Sequence, residues 1–318
     1  MAAALALAER GRGRTAPNPN VGCLIVRDGQ VVGRGWTQPG GRPHAEAMAL
    51  AEAGEAAAGA TVYATLEPCA HRGPRGPACA DLLVQARPAR VVAALTDPDS
   101  RTAGQGYARL RAAGIVVTDN ILADAARRSM AGFLTRRRAG RPHVTLKLGL
   151  SLDGMIARAD GESRWITGAT ARAHAHLERS RHEAILVGRG TWEADQPRLD
   201  VRLPGLAERS PRIIILATSL GNAPARPGVA LIAAPEQIAG LEGVDHLFVE
   251  GGAATASAFL KADLVDRLLL YRAPILIGAG RPALADIGLD RLSDAHGRWT
   301  LADSRMLGID RLDVYERG

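Results

Sequence analysis

The sequence predicts two α/β domains in tandem, and three observations carry that reading. The chain has 318 residues, enough for two domains of ordinary size. Short β-branched runs alternate with Ala- and Leu-rich helical stretches through both halves. A basic, Pro-containing stretch from Arg136 to Pro142 interrupts the alternation near the middle and divides the chain into 1–140 and 141–318.

Residues 2–10 read as a short Ala/Leu helix, and TAPNPNVG (15–22) as a turn-rich loop. Val21 to Val26 and Val31 to Trp36 read as strands joined by an Asp28-Gly29 hairpin turn. Pro43 suits a first helical turn, and Ala45 to Ala53 are good helix formers. Strands at Thr61 to Leu66, Arg90 to Leu95 and Ile115 to Val117 alternate with helices starting at Cys79 and spanning Gly106 to Ala113. One longer helix, 121–138, ends in basic residues, which suit a helix C-terminus. In the second half, strands are expected at His143 to Leu150, Ala184 to Val187, Ile213 to Ala217, Val229 to Ala233 and His246 to Val249. Arg267 to Tyr271 and Ile309 to Tyr315 complete the set, with helices at 169–180 and 253–262. The Pro/Arg-rich runs near 203–210 and 222–228 read as surface loops.

Hydrophobic residues make up 47% of the chain but aromatics only 3%, so the cores must be built from Ala, Leu, Val and Ile. That scarcity argues against an aromatic platform for stacking a nucleic acid strand. The net charge of +7 admits three readings: arginine-rich composition, anionic small ligands, or nucleic acid. The basic residues are spread out, and their densest cluster (Arg136, Arg137, Arg138 and Arg141) falls at the domain junction, which disfavours the last. Three cysteines do not make a disulfide scaffold and fit a reducing compartment. No signal-peptide pattern is present, and no apolar run reaches about 18 residues, so a soluble cytoplasmic protein without membrane association is expected.

The sharpest chemical signal is His44-Ala45-Glu46, followed by Pro68-Cys69 and Cys79. One imidazole and two thiolates make a tetrahedral Zn2+ site with a fourth position open to water, whose pKa the metal lowers. Glu46 can turn into such a site without being a ligand and carry a proton to a leaving amine. His44 and Cys79 each stand at a helix start, where thiolate is favoured over thiol. Singly, such a histidine is usually a surface or capping residue and such a cysteine a small core hydrophobe, as Cys23 inside the first strand is expected to be. The set, spaced between strands and helices, points to zinc.

PNPNVG (17–22), PHAE (43–46) and TLEPCAH (65–71) resemble the bifunctional riboflavin-biosynthesis deaminase/reductase family. The resemblance implies a cytidine-deaminase-like α/β/α sandwich, His44, Cys69 and Cys79 as zinc ligands, and Glu46 as the catalytic proton shuttle. It also implies Asn18 and His71 as substrate-pocket residues; Asn20 is a weaker candidate, since Asn-Pro pairs also form turns. The inter-cysteine stretch AHRGPRGPA has nine residues, one more than is usual in the family, and its Arg72 and Arg75 are candidate phosphate partners.

In the second half no G-x-G-x-x-G follows a strand, so a Rossmann fold is not supported. Val249-Glu250-Gly251-Gly252-Ala253 places two glycines between a strand and a helix start, where backbone amides can hold a phosphate. RPHVTLKLGLSLDGMIA (141–157), GESRWITG (161–168), AILVGRGTWEAD (184–195) and VEGG (249–252) resemble the reductase half of the same family. That implies a dihydrofolate-reductase-like α/β domain using NADPH. Implied NADPH contacts are Gly149, Trp165, Thr191, Asp195, Gly252, Ala253, Ala254, Thr255, Ala256, Ser257 and Ala258. Implied substrate contacts are Lys147, Ser163, Arg179, Leu199, Arg202 and Glu250. Trp165 can equally be a core aromatic, and Lys147 a solvent-facing strand residue. Gln196 stands where the family's DDP has its second Asp, Asp200 where a Thr is usual, and Arg267 closes the stretch that usually reads LVDE.

The expected substrate is a phosphorylated pyrimidine small molecule. No nucleic acid partner is expected, and a homo-oligomer is, because related proteins assemble. The competing reading is a nucleoside or nucleic-acid deaminase carrying an accessory or inactive second domain; the long inter-cysteine stretch speaks against it.

Overall fold

The computed structural model describes residues 1–71, 76–219 and 226–318, which form two compact units, Met1–Ala139 and Gly140–Gly318. Arg72 and Arg75 lie outside the described residues, as does most of the 222–228 run.

The first unit is built on a five-stranded mixed sheet in the order β2-β1-β3-β4-β5. Its strands are β1 (Gly22–Arg27), β2 (Gln30–Trp36), β3 (Thr61–Ala64), β4 (Arg90–Ala93) and β5 (Val116–Thr118). Asp28 and Gly29 both have positive φ, 51° and 76°, the backbone that a two-residue hairpin turn requires, and Arg27 pairs with Gln30 across it. The helices are α1 (Ala2–Ala8), α2 (Ala45–Ala53), α3 (Cys79–Ala86), α4 (Gln105–Ala112), α5 (Ala123–Ser129) and α6 (Ala131–Ala139).

Glycines set how closely the helices approach this sheet. A Cβ on Gly22 would stand 1.9 Å from the Ala4 carbonyl oxygen of α1, whereas one on Gly35 would stand 2.0 Å from the Ala45 oxygen of α2. Gly22 and Gly35 lie on opposite faces of the β1–β2 ladder, since Gly22 pairs with Trp36 and Cys23 with Gly35. The sheet is therefore covered on both faces, an α/β/α sandwich. Its core is Ala, Val, Ile and Leu, with Cys23 fully buried in it.

The single helix expected over 121–138 is two. The Ser129 carbonyl, which would accept from Phe133 in a continuous helix, instead accepts the Asn20 side-chain amide at 3.2 Å, and the Ser129 hydroxyl donates to Glu9 at 2.6 Å. The chain turns at Met130 (φ −99°, ψ 19°) and restarts.

The second unit has an eight-stranded sheet in the order β10-β9-β8-β11-β6-β12-β15-β14. Its members are β6 (His143–Leu150), β8 (Ala184–Gly188), β9 (Arg212–Leu216), β10 (Ala230–Ile232), β11 (His246–Val249), β12 (Arg267–Arg272), β14 (Trp299–Leu307) and β15 (Asp310–Arg317). From β10 through β12 the neighbours are parallel; β15 and β14 are antiparallel. A separate two-stranded ribbon joins β7 (Met155–Arg158) to β13 (Gly280–Pro282). The helices are α7 (Ala169–Arg179), α8 (Arg189–Asp195) and α9 (Ala253–Lys261).

Each face of the large sheet has its own core. Val144, Leu146 and Leu148 of β6 join one, while Ile185, Val187 and Phe248 join the other with Trp192 and Tyr271. Thr145, Lys147 and Gly149 thus sit on the face away from the first core. The sequence reading passed over β7, β13, β14 and α8. The ribbon strands are too short to show periodicity, and β14 is exposed along most of its length, with no apolar alternation to mark it.

The contact between β2 and α2 positions everything that follows in the first unit. Gly35→Ala is expected to destabilise the protein by about 1–3 kcal/mol through overpacking, seen as a lower urea midpoint. A variant as stable as the parent would mean the helix does not rest on the strand backbone.

Candidate active sites

His44 immediately precedes α2, and Cys79 opens α3. Cys69 lies on the segment that leaves β3. The three converge: their ligand atoms all lie within 4.8 Å of one another. His44 Nδ1 is 3.6 Å from Cys69 Sγ and 3.4 Å from Cys79 Sγ. A tetrahedral zinc with ordinary Zn–N and Zn–S lengths needs nitrogen–sulfur separations of about 3.6 Å. The donor set therefore fits zinc in both chemistry and spacing.

The surroundings prepare the thiols and the ring. The Cys79 backbone amide, at the start of α3, donates to Cys69 Sγ at 3.3 Å. Cys69 is drawn down to about 4, first by the hydrogen bond from the Cys79 thiol and then by His44, against the effect of burial. Cys79 is correspondingly pushed up, by that same hydrogen bond and by burial. Asn18 Nδ2 stands 3.0 Å from His44 Nε2 and donates to the Gly41 carbonyl at 3.1 Å, holding the ring with Nδ1 toward the sulfurs.

Glu46, one residue into α2, is 3% exposed and faces the same cluster. Burial raises its carboxyl above the ordinary range; the hydrogen bond with Cys79 works the other way. A carboxyl held this way can both accept and return a proton.

His44, Glu46 and Cys69 line a cavity of about 130 Å³, with Cys79 behind its wall. Asn18 and His71 are in its wall, and His71 Nδ1 lies 3.3 Å from Thr102 Oγ1, apart from the ligand cluster. Asn20 is not in the wall; it is buried and spent on α5. The sequence reading missed Asp97, Asp99, Arg101 and Arg137, which line the cavity from outside the zinc motifs. The available signal was Asp-Pro-Asp just beyond the Arg90–Ala93 strand, where parallel strands deliver ligand-binding residues. Glu67, buried beside Pro68, accepts the backbone amides of Asp97, Gly104 and Tyr107 and so fixes this segment.

In the second unit a cavity of about 800 Å³ opens beyond the carboxyl ends of β6, β8 and β11. Seven basic side chains line it (Lys147, Arg164, Arg172, Arg179, Arg189, Arg202 and Arg281) against two acidic ones, Asp195 and Glu250, which suits a polyanionic ligand. Of the residues singled out from sequence, Lys147, Gly149, Ser163, Trp165, Arg179, Thr191, Asp195, Arg202, Glu250 and Gly252 to Thr255 are in the wall. Trp165 is 65% exposed, not a core aromatic, and Arg172 stacks over it at 4.5 Å.

Four others are elsewhere. Ala256 is fully buried in a sheet-face core, because one turn into α9 the helix has rotated toward the sheet. Ser257 turns away and accepts the Ala285 amide at 2.8 Å; Ala258 follows it along α9, outside the wall. Leu199 is buried in the opposite core at a left-handed backbone position, φ 56°. Gln196 and Asp200 also lie outside the wall. Asp266 and Arg267 are structural: Asp266 takes a two-pronged contact from Arg141, and Arg267 pairs with Glu316.

The cavity fits a dinucleotide. A Cβ on Gly252 would meet only Thr191 Oγ1, at 3.8 Å, and one on Gly149 only Thr167 and Lys147, all lining residues, so these glycines leave space that a side chain would fill. Gly252 to Thr255, at the start of α9, line that space, and amides at a helix start can hold a phosphate. Deeper in, Arg179 grips Glu250 at 2.6 and 3.0 Å, and Lys147 Nζ lies 3.9 Å from the same carboxylate. Burial pushes Glu250 up, but Arg179 and Lys147 more than reverse it, so its carboxyl is held below the ordinary range. Asp200 acts from behind: its carbonyl accepts from Arg179 at 3.0 Å and lies 3.0 Å from His176 Nδ1.

A zinc-site deaminase domain joined to a reductase domain is the class these two sites define. Residues 1–95 match the family described as cytidine and deoxycytidylate deaminase zinc-binding region, and residues 142–310 match the RibD C-terminal domain. The chain is 42% identical to riboflavin biosynthesis protein RibD of Escherichia coli, over 93% of this chain and 92% of that one. To its counterpart in Mycobacterium tuberculosis it is 40% identical, over 95% and 91%. Among solved structures, Acinetobacter baumannii RibD superposes with a TM-score of 0.83 at 36% identity, covering 100% of this chain and 97% of that one. The Thermotoga maritima diaminohydroxyphosphoribosylaminopyrimidine deaminase/5-amino-6-(5-phosphoribosylamino)uracil reductase gives 0.85 at 29% identity, with the same coverage. The chain belongs to the RibD family of bifunctional riboflavin biosynthesis enzymes. No helix among the described residues is long and apolar enough to cross a membrane.

Purified protein is expected to carry one zinc per chain by elemental analysis, lost on Cys69→Ala or Cys79→Ala. Retention of full zinc by either variant would rule out the three-ligand assignment. Asp97 supplies a pH test. Burial raises its carboxyl from 3.8 to about 6, so ionisation is penalised only in the folded state and stability from this group falls as pH rises through 6. In zinc-stripped protein, Asp97→Asn should leave stability unchanged near pH 4 and raise it above about pH 7. Equal effects at both pH values would show that the carboxyl is not perturbed.

Proposed function

We propose that the first unit hydrolyses the ring amine of 2,5-diamino-6-ribosylamino-4(3H)-pyrimidinone 5′-phosphate. The second unit then reduces the ribosyl side chain of the product to ribityl with NADPH. The observation that carries the reading is the convergence of His44, Cys69 and Cys79 with the buried Glu46 beside them.

In the first step, water adds to the carbon bearing the amine and ammonia leaves, turning C–NH2 into C=O. Zinc held by His44, Cys69 and Cys79 supplies the Lewis acidity that makes water a nucleophile near neutral pH. Glu46 takes the proton from water and returns it to the departing nitrogen, a task its raised carboxyl suits. Asn18 keeps the His44 ring in orientation, and His71 and Asp97 face the pyrimidine.

In the second step, bound NADPH would supply the hydride for C1′ of the open-chain imine form of the ribosyl group, whose nitrogen would gain a proton. Gly149, Trp165, Thr191, Asp195 and Gly252 to Thr255, all in the cavity wall, would hold the cofactor. Lys147, standing at Glu250, is the cation placed to supply or orient the proton. Ser163, Arg179, Arg202 and Glu250 bind the substrate. Arg202 is the better phosphate partner of the two arginines, because Arg179 already spends its donors on Glu250 and the Asp200 carbonyl. Gln196 and Asp200 stand outside the cavity wall, which supports an active reductase.

A coupled assay tests this directly, following ammonia release and NADPH oxidation from the diaminopyrimidine ribosyl phosphate. Glu46→Gln should lower ammonia release by about 10²–10⁴-fold while keeping its zinc and still oxidising NADPH when given the deaminated product. Ammonia without NADPH oxidation in the parent protein would overturn the reductase assignment.

A further inference from the structure

We propose that Arg42 is the residue of the deaminase cavity that selects for the substrate's phosphate. The inference deepens the deaminase reading above and rests on it. Among the described residues lining the cavity are three guanidinium groups and four carboxyl groups. Two of the arginines are committed: Arg101 and Arg137 both hold the Asp99 carboxylate, at 2.5 and 3.0 Å. The other carboxyl groups are occupied as well, Glu67 by three backbone amides, Asp97 by the Asp99 amide and Glu46 by Cys79.

Arg42 has no hydrogen-bond or ion-pair partner among the described residues, and its Nε is buried without an acceptor. A half-buried guanidinium with a buried, unmet Nε donor calls for an anion. In a cavity where acidic groups outnumber basic ones, a phosphate dianion has one uncommitted cation among the described residues to meet.

The backbone under Arg42 is fixed on both sides. Asn18 donates to Gly41 O at 3.1 Å and stands 3.0 Å from His44 Nε2, so one amide pins the residues before and after Arg42-Pro43. Gly41 has φ 85°, and a Cβ there would meet Asn18 Cβ at 2.7 Å. Pro43 O accepts the Gln38 amide at 3.1 Å. Arg42 is thus presented from the same short segment that presents the zinc ligand His44, tying the phosphate anchor to the reaction centre.

The test is steady-state ammonia release by the full-length, zinc-loaded protein on the diaminopyrimidine ribosyl phosphate and on its dephosphorylated form. Parent, Arg42→Met and Arg42→Lys are compared, with zinc content measured for each. Arg42→Met is expected to raise KM for the phosphorylated substrate about 10-fold or more and to collapse the preference for it over the dephosphorylated form. Arg42→Lys should recover part of that preference, since it keeps the charge without the fork. Competitive inhibition of the parent by ribose 5-phosphate should weaken in parallel. A zinc-loaded Arg42→Met protein with unchanged preference would overturn the inference while leaving the deaminase reading intact. Equal losses on both substrates would also overturn it, making Arg42 a structural residue. Absence of ammonia from the parent protein would overturn the deaminase reading and this inference together.

Discussion

The first unit hangs on the absence of side chains where α2 crosses β2. Gly33 and Gly35 present bare backbone, and the Ala45 and Ala49 carbonyls sit so close that a Cβ on either glycine would lie 2.0–2.2 Å from them. That contact fixes the depth of the helix on the sheet. Because His44 precedes α2 and Glu46 lies in its first turn, it also fixes the depth of a ligand and of the proton carrier. Cys79 arrives on α3, which has its own contacts with α2 and α4. The donors meet at zinc distances because rigid helices deliver two of them, and Asn18 then needs only to hold the ring rotation.

The second unit solves a different problem with the same economy. Parallel strands end together, and the space beyond them is closed by glycines rather than filled by side chains. Gly188 and Gly251 approach Thr255 so closely that a Cβ on Gly188 would stand 2.2 Å from Thr255 Oγ1, and one on Gly251 2.3 Å from its Cβ. The start of α9 is thereby drawn against the ends of β8 and β11, placing its first residues in the cavity wall. Glu250, the next residue along, is left buried between Arg179 and Lys147. Its charge is stabilised chiefly by those two cations, so the three side chains act as a unit.

The parts legible in the sequence are those whose physics is local. Asp28-Gly29 announces its turn because few other pairs tolerate two positive φ values. The zinc ligands announce themselves through residue type and spacing around predicted helix starts. What escaped depends on contacts made at a distance. The break at Met130 comes from Asn20, more than a hundred residues away, capturing the Ser129 carbonyl. Asp97 and Arg137 belong to the deaminase cavity only because Glu67 folds one segment inward and α6 brings the other across. Arg137 had looked like part of a linker's basic run. Leu199, Ala256, Ser257 and Ala258 were carried over from neighbouring motif residues, but helix rotation and a left-handed turn take them out of the cavity wall.

The Glu67 carboxylate has a dynamic consequence. It gathers the amides of Asp97, Gly104 and Tyr107 onto two oxygens, and a Cβ on Gly106 would stand 2.1 Å from the Pro68 carbonyl. Separating any one amide from that carboxylate disturbs the other two. The three should therefore share a single protection free energy in amide hydrogen exchange, opening and closing as one cooperative segment rather than fraying residue by residue. Asp97 and Thr102, which contacts His71, ride on that segment. The cavity wall opposite the zinc ligands thus has one latch, and its lifetime sets how long that wall stays assembled.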